Sequence, residues 1–159
     1  MADGLDDIDR RILSALQADA SLSIVELAER VGVSSTPCWR RVQRLDEKGF
    51  ISRRVALLDR QRLNVGVTVF IAVRTSRHSL EWFDQFHRAL NAIPEVQEFY
   101  RLAGDIDYLI KAVVPDIGAY DDLYKRIIGK VELTEVTSMF AMEELKCTTA
   151  VPLDYAPRR

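Results

Sequence analysis

The sequence that decides the fold is SIVELAERVGVSSTPCWRRVQRL, residues 23–45. Apolar residues recur in it at helical spacing, in two groups that Gly32 separates. Ser23 and Glu26 have the spacing of a capping box, which predicts that the first helix begins there. Gly32 favours the left-handed backbone that ends a helix, so the next helix begins at one of the serines 34 and 35. Two short helices joined by a tight glycine turn are typical of a helix-turn-helix.

One more helix precedes this pair and is predicted from about Asp6 to Ala18. Its apolar side chains form one face: Ile8, Ile12, Leu13 and Leu16. Three acidic residues complement the helix dipole on its first turn: Asp6, Asp7 and Asp9. The third helix contributes its own apolar face to the same core: Cys38, Val42 and Leu45. The pattern therefore predicts a three-helix N-terminal domain.

Positive charge is confined to one segment of an otherwise acidic chain. The whole chain has a formal net charge of −2. Residues 30–62 carry +6, whereas residues 1–29 carry −5 and the residues from 63 onward carry −3. Binding to phosphates needs a local basic patch and not a basic protein. The distribution of charge therefore favours double-stranded DNA as the partner of the third helix.

The outer face of the third helix is the predicted DNA-binding surface. The N-terminal part of such a helix contacts base edges in the major groove. Arg40 is assigned to a base or a phosphate, because a guanidinium can bond to guanine O6 and N7. Four other arginines are assigned to phosphates: Arg41, Arg44, Arg53 and Arg54. The complete predicted set is Ser34, Ser35, Thr36, Pro37, Trp39, Arg40, Arg41, Arg44, Arg53 and Arg54.

Arginines on an amphipathic helix are most often an ordinary solvated face, and this alternative has to be weighed. The capping box, the glycine turn, the serine-rich start of the third helix and the arginines that follow it together favour DNA. Trp39 has two interpretations. It packs against the first helix, which we favour, or it lies beside a sugar of the DNA.

The remainder of the chain has a different pattern. Residues Phe50 to Leu58 indicate a strand pair or wing, and strand-like and helical patterns alternate after Val67. Their order is βαββαβ, the ferredoxin-like or split βαβ arrangement. The predicted strands cover residues 67–77, 96–103, 108–114 and 136–146, and the predicted helices cover residues 79–93 and 117–128.

The predicted fold class is therefore α+β. We expect an N-terminal winged helix-turn-helix domain over residues 5–58 and a linker over residues 59–66. A ferredoxin-like βαββαβ domain follows over residues 67–148. Residues 149–159 are predicted to be a loose tail or an arm that contacts a partner.

Stretches in both domains resemble the Lrp/AsnC family, the leucine-responsive or feast/famine transcriptional regulators. They are LDDIDRRIL (5–13), VELAERVGVS (25–34), TPC (36–38) with Arg41, Val42 and Leu45, GDIDYL (104–109) and MEE (142–144). The resemblance implies that the ferredoxin-like domain is a regulatory domain for effector binding and oligomerisation. It also implies homodimers paired through these domains, often assembled into octamers, and an amino acid as effector bound between them.

The effector site to which the resemblance points is the turn at residues 104–107, facing the last strand. An amino acid needs acceptors for its ammonium group, which Asp105 and Asp107 can supply, and donors for its carboxylate, which backbone N–H groups at Gly104 can supply. The alternative is that Gly-Asp-x-Asp is merely favourable hairpin chemistry. The predicted site comprises Gly104, Asp105, Ile106, Asp107, Tyr108, Thr137 and Met139.

Several classes of protein are disfavoured. No apolar run approaches the roughly 18 residues of a membrane span, and the acidic N-terminus does not resemble a secretory signal. Cys38 and Cys147 lack metal-ligand spacing and indicate reduced thiols in a cytoplasmic protein. His78 and His87 form no metal-binding pattern. We therefore expect no cofactor, no metal and no membrane partner.

Two alternatives to a regulator remain open. The polar turn at residues 75–79 can hold a phosphate in an enzyme, but no second set of catalytic groups is evident, and we do not expect an enzyme. An architectural DNA-binding protein with little sequence preference and no specific effector would use the same basic patch. The ratio of specific to non-specific binding at a stated salt concentration distinguishes it from a regulator.

Overall fold

The computed structural model describes residues 4–77 and 79–158. Two compact units make up this chain: the first unit contains residues 4–56 and 146–158, and the second unit contains residues 57–145. His78, which belongs to the phosphate-binding turn of the enzyme alternative, and Arg159, which ends the predicted tail, lie outside the described residues. Within those residues, no helix has both the length and the apolar character that crossing a membrane requires.

Three helices form the body of the first unit: α1 (Asp7–Ala18), α2 (Ile24–Val31) and α3 (Ser35–Glu47). The capping box of α2 is confirmed, because the Ser23 amide donates to the Glu26 carboxylate at 2.8 Å and the Glu26 amide donates to the Ser23 hydroxyl at 3.3 Å. Gly32 ends α2 with a φ of 72°, as predicted. The core includes the predicted α3 residues: Cys38, Val42 and Leu45.

The strand pair predicted over Phe50–Leu58 is not formed. Residues 52–59 have no strand assignment and are exposed to solvent. A strand needs a hydrogen-bonded neighbour, and the described part of the chain provides none for this segment. The sequence pattern reports a preference for extended backbone and not the presence of a partner. Three apolar side chains of the segment are exposed: Val55, Leu57 and Leu58.

The second unit has the predicted βαββαβ order. Its elements are β1 (Val67–Arg74), α4 (Leu80–Asn91), β2 (Val96–Arg101), β3 (Tyr108–Val114), α5 (Ile117–Ile128) and β4 (Glu135–Phe140). The strands form one antiparallel sheet in the order β2-β3-β1-β4. This arrangement confirms the ferredoxin-like α+β fold.

The core of the second unit lies between the sheet and its two helices. Alternate residues of β1 and β3 face α4 and α5 across it, and among the most buried are Val69, Ile71, Ile110, Phe86, Leu90, Leu123 and Ile127. Because side chains alternate along a strand, the intervening residues lie on the opposite face. We call that face the open sheet face; it includes Phe70, Ala72, Leu109, Thr137 and Met139.

The last strand is shorter than predicted. The sequence pattern extends it over residues 136–146, but β4 ends at Phe140. Phe140 is paired with Val69, and the Ala141 amide donates to the Thr68 carbonyl at 2.9 Å. β4 pairs with β1, which runs antiparallel to it and begins at Val67. The chain beyond Ala141 therefore extends past the start of β1. The ladder therefore stops there.

The C-terminal segment is docked within its own chain and is not the loose tail predicted for residues 149–159. Residues 151–158 lie against α1. The Arg10 guanidinium donates to the Leu153 carbonyl and, at 2.8 Å, to the Ala156 carbonyl. The side chains of Leu153 and Ala156 also pack against the helical core. The end of the chain therefore completes the first unit.

Two further contacts hold this segment. The Leu5 amide donates to the Pro157 carbonyl at 2.8 Å. The Gln17 side chain bonds to both backbone groups of Val151, accepting at 2.7 Å and donating at 3.2 Å. Most of these partners are backbone groups, which every residue carries. The sequence therefore contains no side-chain pattern that reveals the docking.

Arg10→Ala is expected to destabilise the first unit by about 1.5–3 kcal/mol, because it removes charge-assisted hydrogen bonds to two carbonyl groups. Hydrogen exchange of the α1 amides measures the loss locally. Arg11→Ala is the matched control, since Arg11 is the exposed neighbour on the same helix. Equal protection of α1 in the two variants would show that the docked segment adds nothing to stability.

Candidate DNA interface and effector site

The N-terminal end of α3 is open to solvent. Ser34 is the N-cap residue, but its hydroxyl makes no capping bond. Ser35, Thr36 and Pro37 follow it and are all exposed. The first amides of a helix have no partner within the helix, and free amides at a helix N-terminus attract phosphate groups. This end of α3 is therefore suited to contact a nucleic-acid backbone.

Arg40 lies on the outer face of α3. Successive helix residues are about 100° apart, so Arg40 points away from the side on which Cys38, Val42 and Leu45 are buried. It is exposed and makes no ion pair with any described residue. Its guanidinium is therefore free to contact DNA.

Trp39, next to Arg40, is 51% exposed and does not belong to the helical core. The favoured interpretation, in which it packs against α1, is therefore wrong for this structure. Helical spacing puts position 39 at the flank of the buried face, and the sequence alone does not show on which side of that boundary it lies. An exposed indole beside Arg40 fits the other interpretation, a contact with a DNA sugar, which stays a prediction.

Arg41 and Arg44 are bonded to carboxylates of α1. Arg41 Nη1 lies 2.6 Å from Asp6 Oδ2 and 2.8 Å from Asp9 Oδ1. Arg44 Nη2 lies 2.5 Å from Asp9 Oδ2. The side chain of Asp9 is 0% exposed, so these pairs join the recognition helix to the interior of the unit. We call Asp6, Asp9, Arg41 and Arg44 the aspartate–arginine cluster.

Sequence reasoning missed this cluster. It assigned the aspartates to the helix dipole and both arginines to DNA phosphates, and the phosphate contacts stay a prediction. The available signal was an acidic first turn on α1 beside a basic α3 in the same small domain. Long-range pairing between them is not visible in local spacing, because the partners are 32 to 35 residues apart.

Asp6 and Arg41 keep their charges. Partial burial acts to raise the pKa of Asp6, but hydrogen bonds from Arg41 and from the Asp9 amide outweigh it, and the pKa lies below its ordinary value. The hydrogen bond to Asp6 raises the pKa of Arg41 above its ordinary value. Both groups are therefore ionised at neutral pH.

The two arginines that follow α3 differ in their surroundings. Arg54 Nη1 lies 2.9 Å from Asp46 Oδ2, in a pair that is well exposed on both sides. Such a surface pair contributes little energy and opens easily. Arg53 is exposed and has no ion pair with a described residue. Arg40 and Arg53 are therefore the predicted contacts whose charge is not already compensated.

The predicted effector turn follows β2. Gly104 has a φ of 138°, a conformation that favours glycine. The Asp107 carboxylate accepts a hydrogen bond from the Thr75 amide at 2.8 Å, and the Asp107 amide donates to the Val73 carbonyl at 3.0 Å. Asp107 thus fastens the turn to the end of β1. Asp105 is exposed at the tip of the turn.

The structure separates the other predicted effector residues. Thr137 and Met139 are exposed on the open sheet face, and Ile106 in the turn is half-buried. Tyr108 is 3% exposed and lies on the other face of the sheet. It contacts aromatic residues of the core: Trp82, Phe83, Phe86 and Phe99. Burial raises the pKa of the Tyr108 hydroxyl, and its side chain is not brought together with Thr137 and Met139.

Arg74 is a residue of this region that sequence reasoning missed. It ends β1 on the open sheet face, where it pairs with Glu135 of β4. Its Nε donates to the Asp105 carbonyl at 2.5 Å, and its Nη1 lies 3.0 Å from Glu135 Oε2. A guanidinium is the group that best binds a carboxylate. The only signal was an arginine at the end of an apolar strand.

Arg77 and Ser79, in the turn that the enzyme alternative uses, already have bonding partners. A cleft of about 550 Å³ lies beside it, lined by residues that include Arg77, Ser79 and Trp82. Arg77 pairs with Glu132 at 2.9 Å, and the Ser79 hydroxyl caps α4 by accepting from the Trp82 amide. Residues 4–77 and 79–158 contain no group of three or more His, Cys, Asp or Glu side chains that could hold a metal ion.

Comparison with known proteins agrees with this architecture. Residues 5–52 match the winged helix-turn-helix DNA-binding family, and residues 68–151 match the Lrp/AsnC ligand binding domain. The glutamate uptake regulatory protein of Zymomonas mobilis is 50% identical over 94% of this chain and 91% of its own length.

Solved structures give the same result. An AsnC family transcriptional regulator from Agrobacterium tumefaciens is 54% identical, with a TM-score of 0.92 over 95% of this chain and 99% of its own. A transcriptional regulator from Neisseria meningitidis, solved as a complex with L-methionine, is 33% identical, with a TM-score of 0.90 over 95% of this chain and 98% of its own. With matches over both units, this chain belongs to the Lrp/AsnC family of DNA-binding transcriptional regulators.

Proposed function

We propose that this chain is a cytoplasmic, sequence-specific regulator that binds operator DNA as a homodimer and responds to an amino acid. The observation that carries the proposal is the exposed start and outer face of α3, where serine and threonine hydroxyls, free amides and the uncompensated Arg40 lie together. In the major groove, Arg40 bonds to base edges and the amides at the helix start bond to a phosphate. Arg53 adds a phosphate contact.

The open sheet face supports a homodimer. Phe70 and Leu109 are half-buried on this face, and Met139 is 46% exposed. Apolar side chains on a solvent-facing sheet, here beside the ion pairs Lys111–Glu98 and Arg74–Glu135, fit an interaction site with a polar rim. A second copy can cover it, and two α3 helices would then read half-sites about one helical turn apart. Assembly of such dimers into octamers is the further expectation.

An amino-acid effector fits the turn and the adjacent end of β1. The Neisseria meningitidis neighbour was solved with L-methionine, so the fold accommodates such a ligand. In this chain, Arg74 can bind the ligand carboxylate and Asp105 its ammonium group. Asp105 lies in the exposed turn and Arg74 at the exposed end of β1, so a second copy is needed to enclose the ligand. Asp107 is assigned to support of the turn.

Arg40→Ala is expected to weaken binding to the operator by about 1–3 kcal/mol and to leave binding to random DNA nearly unchanged, because it removes a base contact. Titration of both DNAs at one salt concentration measures this. Arg30→Ala, an exposed arginine of α2, is the control. An equal loss on both DNAs would show that Arg40 contacts only phosphate. A wild-type preference well below about 10³ would favour the architectural alternative.

A panel of amino acids in a thermal-shift assay is expected to identify an effector that raises the melting temperature, because a ligand that binds the native state stabilises it. Asp105→Asn should abolish most of the shift and leave operator binding without effector intact. Asp122→Asn, an exposed carboxylate of α5, is the control. A full shift in the Asp105 variant would remove this residue from the site.

Met139→Lys is expected to convert the dimer to a monomer, because it places a charge on the apolar face that the second copy covers. Sedimentation velocity without ligand measures the change. Ile117→Lys is the matched control, since Ile117 is 71% exposed but lies at the start of α5, away from the open sheet face. Dissociation by both substitutions, or by neither, would contradict an interface on this face.

A further inference from the structure

We propose that Asp9 is a positioning residue for DNA recognition. It fixes α3 on α1 and holds Arg41 and Arg44 back from the DNA, so that one buried carboxylate sets both the orientation of the recognition helix and the number of its free cations. The inference rests on the proposed function, in which α3 reads an operator. It assigns to Arg41 and Arg44 a role different from the phosphate contacts that the sequence suggests.

Both carboxylate oxygens of Asp9 accept hydrogen bonds. Oδ1 accepts from Arg41 at 2.8 Å, and Oδ2 accepts from Arg44 at 2.5 Å and from the Asp6 amide at 3.3 Å. The side chain is 0% exposed. A buried carboxylate without partners is strongly unfavourable. The two arginines are therefore bound to it whenever the first unit is folded.

Asp6 extends the same arrangement into the capping box of α1. One of its oxygens accepts from the Asp9 amide at 2.9 Å, and the other accepts from Arg41 at 2.6 Å. The cluster thus contains two carboxylates and two guanidinium groups, and its charges cancel. Because Arg41 and Arg44 are three residues apart, they lie on one side of α3 and join it to the first turn of α1. The start of α1 therefore determines how α3 is oriented.

The balance of charge has a consequence for specificity. Contacts to phosphate add affinity for any sequence, whereas contacts to bases distinguish one sequence from another. With both arginines bound to Asp9, the exposed Arg40 is the arginine of α3 that remains to meet DNA. Without the Asp9 charge, Arg44 loses its carboxylate partner and becomes free to reach a phosphate, Arg41 keeps only Asp6, and α3 loses part of its attachment to α1. Non-specific binding then rises while specific binding falls.

The test compares Asp9→Asn with Asp7→Asn in the full chain. Asp7 is exposed on the same turn of α1 and takes no part in the cluster. Asp7→Asn removes the same charge as Asp9→Asn. The probes are an operator selected by the wild type from a random duplex pool and a random duplex of equal length. Binding to each is measured over a series of salt concentrations.

Asp9→Asn is expected to lower the ratio of operator to random binding at least tenfold. It should also steepen the plot of log affinity against log salt for random DNA by about 1, since the freed Arg44 adds one phosphate contact and each contact contributes about 0.9. Asp7→Asn should change neither quantity by a comparable amount. If Asp9 had only a structural role, its substitution would instead weaken binding to both DNAs in parallel and leave the salt slope unchanged.

Three outcomes overturn the inference. A wild type with no operator preference contradicts the proposed function and this inference with it. A wild type with a clear preference that Asp9→Asn retains contradicts the inference alone, as does an unchanged slope with a parallel loss. If thermal unfolding shows that Asp9→Asn does not fold, Arg44→Gln decides, because Asp9 keeps Arg41 as a partner in that variant. The salt slope for random DNA should stay unchanged if Arg44 is held away from phosphates, and a slope shallower by about 0.9 would contradict the inference.

Discussion

The buried carboxylate of Asp9, bonded to two arginines of α3, is the interaction on which the DNA-binding unit depends. Apolar packing in a small core joins the helices of this unit. The ion pairs add direction, since a guanidinium donates to a carboxylate only in defined geometries. Asp9 faces α3, and its neighbour Arg10 points along another side of α1 to bind the C-terminal segment. One helix thus organises both the recognition helix and the end of the chain.

The docked C-terminal segment also affects how the two units are connected along the chain. The segment after α3 leads into the second unit, and the segment after β4 leads back to the first. The DNA-binding unit is therefore joined covalently to the regulatory one at two points, one of which directly follows the strand that carries Thr137 and Met139. The docked residues are held by their backbone carbonyls and by the side chains of Leu153 and Ala156, which pack against the helical core.

Local features of this fold could be predicted from the sequence, and features that depend on distant partners could not. The Ser23 capping box and the turn at Gly32 were legible because each involves residues within one helical turn. The bounds of α5 were legible for the same reason. The length of β4 was not, because it is set by where β1 begins, some seventy residues earlier. The strand pair predicted over residues 50–58 was wrong for the same reason. Its sequence pattern is local, but a strand also needs a hydrogen-bonded neighbour, which local sequence does not reveal.

The candidate sites divide in the same way, into charges that the fold pairs and charges that it leaves exposed. In each site the sequence offers several charged residues of one kind, and the fold bonds some of them. Asp107 fastens its turn to β1, whereas Asp105 stays exposed. Arg41 and Arg44 pair with α1, whereas Arg40 stays exposed on the same helix. An exposed charge without a partner gains little stability for the fold, so selection for stability does not explain its presence. The charges that the fold leaves unbonded, Arg40 and Asp105, are therefore the ones we propose to contact DNA and effector, whereas Arg74 would exchange its partner Glu135 for the ligand carboxylate.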